Sequence, residues 1–132
     1  MERCREIVLD SSVVIKWFSK ESKSAEAIKF MDLYVEGSLE LIASEILFCE
    51  VGNALRYKPD YSAEKLKRAL AQLFNLRMKV EPLTDDLMMR TGEIAYDGKI
   101  TLYDALPIAI AEQRKTVCIT ADETTQYGKL RI

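Results

Sequence analysis

Short apolar strands alternating with capped helices make this chain an α/β protein. We expect a three-layer α/β/α sandwich around a central, mostly parallel sheet of four to five strands. Three observations lead there. Residues 7–9, 39–43 and 116–119 are brief, mainly apolar runs, as in strands buried on both faces. Helical segments that open on Ser or Thr lie between them. The resulting order, β-α-α-β-α-α-β-α-α-β, suits a parallel sheet covered on both sides.

The elements follow in order. The first strand is predicted over 5–9 and the first helix over 12–18, with the turn at Asp10 and Ser11 or Ser12 as N-cap. After a polar loop, Ser24 caps a helix over 25–36 in which Ala27, Ile28, Met31, Leu33 and Val35 give the apolar coverage, and Gly37 ends it. The second strand is 39–43. Ser44 caps a helix reaching about Tyr57, and Pro59 forbids more. Ser62 caps a long charged helix over 63–78, with Leu66, Leu70, Leu73 and Leu76 inward and Lys65, Lys67 and Arg68 mostly outward. A third strand covers 79–83. Thr84 caps a helix over 85–97, whose acidic start suits the helix dipole, and Gly98 ends it. Thr101 caps a helix over 102–114, and 116–119 is the last clear strand. From Ala121 onward the chain is polar and poorly periodic. No repeat or linker interrupts it, so residues 1–132 are expected to form one domain.

Composition narrows the function. Apolar residues at 48% and charged residues at 30% describe an ordinary globular protein. The formal charge is −2, so contact with RNA or DNA needs a local basic patch or bound cations. There is no signal-peptide pattern and no apolar run near the ~18 residues of a membrane span, so a cytoplasmic protein with no membrane partner is expected. Cys4, Cys49 and Cys118 are far apart and unpaired in pattern. They read as small buried hydrophobes in a reducing compartment. The chain has no histidine, which removes Ser-His and Cys-His catalysis and most zinc sites. Its chemistry must run on carboxylates, hydroxyls, Lys, Arg or metal ions.

Four of the 21 acidic residues stand apart from the solvated majority. Asp10 ends the first strand. Asp122 follows the last, in I-T-A-D. Glu50 sits inside I-L-F-C-E-V-G-N-A-L, with Asn53 one turn on, and Asp104 inside L-Y-D-A-L-P-I-A-I-A. Burying a carboxylate costs several kcal/mol unless it is paired or bound to a metal. A parallel topology brings all four to one edge of the sheet, where converging carboxylates repel unless a cation is present. Hard oxygen ligands select Mg²⁺ or Mn²⁺ over zinc. Each acid also has a plain structural role open to it. Asp104 stands three residues after Thr101, as in a capping box; Asp10 and Asp122 suit turns; Glu50 could pair with Arg56 or another base across the core.

With these motifs in view, the sequence resembles PIN-domain proteins, and among them the VapC-type toxins of prokaryotic toxin–antitoxin pairs. The resemblance rests on V-L-D-S-S-V-V-I-K-W-F around Asp10, C-E-V-G-N-A-L-R around Glu50, T-L-Y-D-A-L around Asp104 and T-A-D-E around Asp122. It spans nearly the whole chain. It implies a three-layer α/β/α fold, a Mg²⁺- or Mn²⁺-dependent ribonuclease, a homodimer and a small protein antitoxin. It also implies that Asp10, Glu50, Asp104 and Asp122 form the acidic cluster, with the Ser12 and Thr120 hydroxyls close by. Asn53, a turn after Glu50, is grouped with them. Two features depart from the family pattern. Pro107 lies inside the helix bearing Asp104, where it removes a hydrogen bond to the Tyr103 carbonyl and should bend the helix. The closing strand after Asp122 is expected to be short or absent.

The implied chemistry is hydrolysis of an RNA phosphodiester at carboxylate-held metal, with Asp10 and Asp104 as the leading ligands. Arg56, Lys16 and Lys58 are the candidates to meet RNA phosphate, Arg56 foremost because it lies less than two turns from Glu50. The competing expectation is a catalytically weak PIN-like module that binds RNA or a protein, for which Pro107 is the motive. A phosphoacceptor or small-molecule phosphatase using Asp10 covalently is disfavoured; phosphatases of that sort place a second acid two residues on, and here that position is Ser12.

Overall fold

The strand Arg5–Leu9 is covered on both sides, which decides the architecture: Ile7, Val8 and Leu9 are all buried. The structure is a computed structural model that describes residues 5–123 and 127–132. Its sheet has five strands, β1 (Arg5–Leu9), β2 (Leu39–Ser44), β3 (Lys79–Glu81), β4 (Cys118–Thr120) and β5 (Leu130–Arg131). They lie in the order β3-β2-β1-β4-β5, and every neighbouring pair is parallel. Among the described residues six helices connect them: α1 (Ser11–Phe18), α2 (Ser24–Val35), α3 (Leu47–Arg56), α4 (Ala63–Asn75), α5 (Asp85–Gly98) and α6 (Leu102–Gln113).

Strand residues alternate between two apolar layers, as the pleat requires. Ile7, Leu9, Leu39, Leu41, Ala43 and Ile119 pack with Val13 and Val14 of α1, Ala27 of α2, Leu47, Val51 and Leu55 of α3, and Ala69 and Leu73 of α4. Val8, Ile42 and Cys118 face the other way, onto Leu87 and Ile94 of α5 and Ala105, Leu106, Ala109 and Ile110 of α6. The chain is therefore an α/β protein with a five-stranded parallel sheet between two helical layers. Each fully buried Leu or Val contributes about 2 kcal/mol, so the central strands are the firmest part of the fold.

Several predicted boundaries move. Ser11 and Ser12 do not cap α1: the helix starts at Ser11 and its N-cap is Asp10 in extended conformation. The Ser24 hydroxyl accepts from the Glu21 amide and donates to the Ser19 carbonyl, so the predicted cap belongs to the preceding turn, and Lys23 holds the N-cap position. Ser44 is not a cap; it ends β2, and α3 begins only at Leu47. The caps at Ser62, Thr84 and Thr101 hold, each side chain accepting from the amide three residues on. Helix α4 stops at Asn75, short of Met78. Leu33 and Val35 are exposed, so α2 buries less than its apolar content suggests. Trp17 packs on the core and its indole donates to the Ala27 carbonyl at 2.8 Å. Cys49 is exposed, against expectation, because it faces outward between the buried Leu47 and Val51. Cys118 is buried, and its thiol is pushed up to about 12, chiefly by burial. Cys4 lies outside the described residues.

The closing strand is short, as expected: β5 has two residues and pairs in parallel with β4 through Ile119–Leu130 and Thr120–Arg131. Pro107 does not interrupt α6, which runs from Leu102 to Gln113 with the ring buried. Burial of Ala105, Leu106, Ala109, Ile110 and Ala111 along the same helix outweighs the one hydrogen bond that proline cannot make.

Candidate active site

Asp10 follows the last residue of β1, where a parallel sheet exposes the carboxyl ends of its strands. Its side chain is nevertheless buried, and its two oxygens have different surroundings. The Ser12 hydroxyl donates to Oδ2 at 2.7 Å and the Thr120 hydroxyl donates to the same oxygen at 2.9 Å. Each hydroxyl has one proton and spends it on Asp10, so the 3.2 Å approach between Ser12 Oγ and Thr120 Oγ1 is a contact of neighbours. Their lone pairs in turn accept the amides of Ala121 at 2.9 Å and Asp122 at 3.0 Å. The first and fourth strands are thus stitched together around one carboxylate oxygen, and Oδ1 is left to face a cation.

That cation is Lys129. Its ammonium lies 3.3 Å from Asp10 Oδ1 and 4.0 Å from Asp104 Oδ1, with the side chain only 1% exposed. Asp104 comes from the first turn of α6, where its amide donates to Thr101 Oγ1 at 3.0 Å. The capping role and the site role therefore fall on different atoms of one residue. Pro107, three positions on, does not turn Asp104 away.

Glu50 arrives from the first turn of α3. Its carboxyl is pushed up to about 7, first by burial, then by the charges of Asp10 and Asp104, with Lys129 pulling it down. Asp10, Glu50, Asp104 and Lys129 thus share one electrostatic neighbourhood. Among the described residues Glu50 has no cation within ion-pair distance, so the predicted alternative of pairing with Arg56 is not what the fold does; Arg56 lies over the Tyr57 ring at 5.1 Å. Asp122 follows β4, held near Thr120 through its amide.

The outlying candidates separate. Asn53 is exposed on α3, one turn after Glu50. Lys16 and Lys58 both close on Glu21, at 3.1 and 2.7 Å. Burial alone raises Glu21, but the hydrogen bonds from Lys58 and Lys16 outweigh it and hold the carboxyl at about 2. A concavity of about 920 Å³ lies at the opposite end, beside the amino ends of the strands, lined by Glu6, Lys79 and Arg114 among others. There Arg114 bridges Glu6 and Glu81 at 3.0 and 2.7 Å, so those charges answer one another and hold the fold.

Among the described residues, no three acidic or thiol side chains stand close enough together to grip one ion as they are placed. The donor set nonetheless fits a hard divalent cation: Asp10 Oδ1, Asp104 and Glu50 are oxygen ligands of the kind Mg²⁺ or Mn²⁺ takes, and such ions keep several waters. The buried ammonium is a stand-in positive charge at the same oxygens. Lys129 was missed in the sequence because the polar stretch after Ala121 shows no period. The available signal was charge: buried acids need a cation, and Y-G-K-L-R-I offers a lysine at the head of a short apolar segment.

Comparisons with known proteins agree with this fold. A toxin–antitoxin complex from Klebsiella pneumoniae matches at 18% identity over 89% of this chain and 88% of that one, with a TM-score of 0.66. VapC20 of Mycobacterium tuberculosis, described as a sarcin–ricin loop cleaving toxin, matches at 16% identity over 89% and 91%, with a TM-score of 0.69. A protein from Pyrobaculum aerophilum matches at 19% identity over 96% and 83%, with a TM-score of 0.69. Among curated proteins none matches the chain significantly. At such identities the structures speak for the fold alone. The sequence model of the PIN domain, however, matches residues 7–127, and with that span the chain belongs to the PIN domain family.

Proposed function

We propose that this chain is a metal-dependent endoribonuclease, the toxin of a toxin–antitoxin pair, hydrolysing RNA phosphodiesters at the acidic edge of its sheet. One observation carries the reading: Asp10, Glu50 and Asp104, from three separate parts of the chain, act on one another around a buried positive charge. The comparison with a toxin described as cleaving the sarcin–ricin loop supports the substrate class. In this reading Asp10 and Asp104 would hold Mg²⁺ or Mn²⁺, and Glu50 and Asp122 would bind through water, hold a second ion or orient the attacking water. A metal held there would supply a water of lowered pKa and stabilisation of the leaving oxygen. Ser12 and Thr120 keep Asp10 Oδ1 turned to the site, and Asn53 stands at its margin. Arg56, exposed and free of the Glu21 cluster that engages Lys16 and Lys58, is the first choice for RNA phosphate.

The partners proposed are RNA, a small protein antitoxin and a second copy of the chain, in the cytoplasm. The Klebsiella complex supports the antitoxin, and exposed Leu33, Val35 and Phe74 offer apolar surface for protein contacts. Among the described residues no helix is long and apolar enough to cross a membrane.

The test is RNA cleavage that requires Mg²⁺ or Mn²⁺ and disappears in Asp10→Asn with the circular dichroism spectrum unchanged. Cleavage that survives EDTA overturns the proposal. A second reading, a catalytically weak module that binds RNA or protein, draws on the absence of a tight three-acid group among the described residues. It requires that Mn²⁺ neither raises the melting temperature nor elicits cleavage.

A further inference from the structure

We propose that Lys129 is a built-in competitor for the divalent cation: its ammonium holds the carboxylates when no such cation is bound, and it must withdraw for Mg²⁺ or Mn²⁺ to enter. This rests on the metal-dependent reading above and adds a mechanism of control to it.

The argument begins with the oxygens. Oδ2 of Asp10 is taken by the Ser12 and Thr120 hydroxyls. Oδ1 is the remaining oxygen, and Lys129 Nζ sits 3.3 Å from it. The same nitrogen is 4.0 Å from Asp104 Oδ1. A magnesium ion binds a carboxylate oxygen at about 2.0–2.1 Å. An ion on these oxygens would therefore stand within a few ångströms of the ammonium, in a pocket where water screens little. The two positive charges exclude each other.

Lys129 is also no ordinary surface lysine. A lysine usually keeps its head in water; this side chain is 1% exposed. Its burial is offset by Asp10, by Asp104 and by the charge it exerts on Glu50. The backbone is shaped to deliver it. Gly128 adopts a left-handed φ of +71° and lies so near Ile108 that an added Cβ would meet Cγ2 at 3.0 Å. The Tyr127 ring rests on Gly98 of α5, where an added Cβ would fall 2.5 Å from Cε1. Yet the strand that follows, β5, has only two residues and pairs along one side. Such short edge pairing opens at lower free energy than the central strands, so the ammonium can leave without unfolding the sheet.

Calorimetric titration with Mn²⁺ on wild type, Lys129→Met and Lys129→Arg provides the test. Lys129→Met removes the charge and keeps the length. It should bind Mn²⁺ about tenfold more tightly or better, within the usual range of coupled sites, and should melt lower than wild type in EDTA. Lys129→Arg, which keeps the charge, should stay close to wild type. On the wild-type protein, an amine-reactive reagent read by peptide mass spectrometry should spare Lys129 in EDTA and label it in saturating Mn²⁺; this arm decides the matter if Lys129→Met does not fold. Equal or weaker Mn²⁺ binding by Lys129→Met, or equal labelling in both conditions, overturns the role of Lys129 and leaves the metal reading standing. No Mn²⁺ binding by any variant overturns both.

Discussion

The Thr120 hydroxyl donates to Asp10 Oδ2 across the β1–β4 junction at 2.9 Å and accepts the Asp122 amide at 3.0 Å. Thr120 is completely buried, so water cannot replace its bond to Asp10. Thr120→Val keeps the shape and deletes both. Taking one donor from a buried carboxylate and an acceptor from a part-buried amide should cost about 2 kcal/mol in chemical denaturation. Because Asp10 would also turn more freely, metal-dependent RNA cleavage should fall by about 10–100-fold, the usual effect of removing a group that orients a ligand. Wild-type cleavage by a folded Thr120→Val protein would show that the hydroxyl serves the strand junction and nothing more.

Lys99 closes α5 in the left-handed region, at φ 54°. A side chain there is strained, and glycine is the residue that relieves it. Lys99 is exposed, so replacement disturbs no packing. Lys99→Gly should therefore stabilise the protein by about 0.5–1 kcal/mol, whereas Lys99→Val, β-branched at positive φ, should destabilise it by at least as much. Equilibrium urea denaturation measures both, and a loss of stability in Lys99→Gly would contradict the assignment of strain.

That position also shows what a sequence can and cannot disclose. Gly98 looks like the glycine that ends α5, and the strained residue is instead its neighbour. Gly98 is the last helical residue, and its missing side chain leaves room for the Tyr127 ring, a contact between residues 29 apart that no local pattern carries. The same limit explains Ser44: a serine before an apolar run reads as a cap, but the parallel pairing of Ser44 with Glu81 draws it into β2. The central strands were legible because each is short, apolar and buried on both faces. Asp10, Glu50 and Asp104 were legible as outliers because acids rarely sit in apolar segments without a reason. Lys129 was not, since a lysine in a polar tail is the most ordinary of residues. Only the fold reveals that its head is buried among those acids.

Glu50 sets the expected response to pH. Its carboxyl is pushed from an ordinary 4.5 up to about 7, by burial first and then by Asp10 and Asp104. A carboxyl raised by folding holds its proton in the folded chain after losing it in the unfolded one. Between about 4.5 and about 7 the folded state therefore binds more protons, and stability falls as pH rises through that window, levelling off above it. Glu21, held at about 2, acts in the opposite sense: its contribution is complete above about 4.5 and is lost only as pH falls towards 2. The chain has no histidine to obscure the window between. In EDTA the melting temperature should fall by roughly 5 °C across it, and Glu50→Gln should flatten the profile. A divalent cation favours the ionised carboxyl, so stabilisation by Mn²⁺ should grow over the same interval. Thermal scans at fixed ionic strength, with EDTA and with Mn²⁺, read both effects. A wild-type profile as flat as that of Glu50→Gln would detach Glu50 from the cluster and leave Asp10 and Asp104 to act without it.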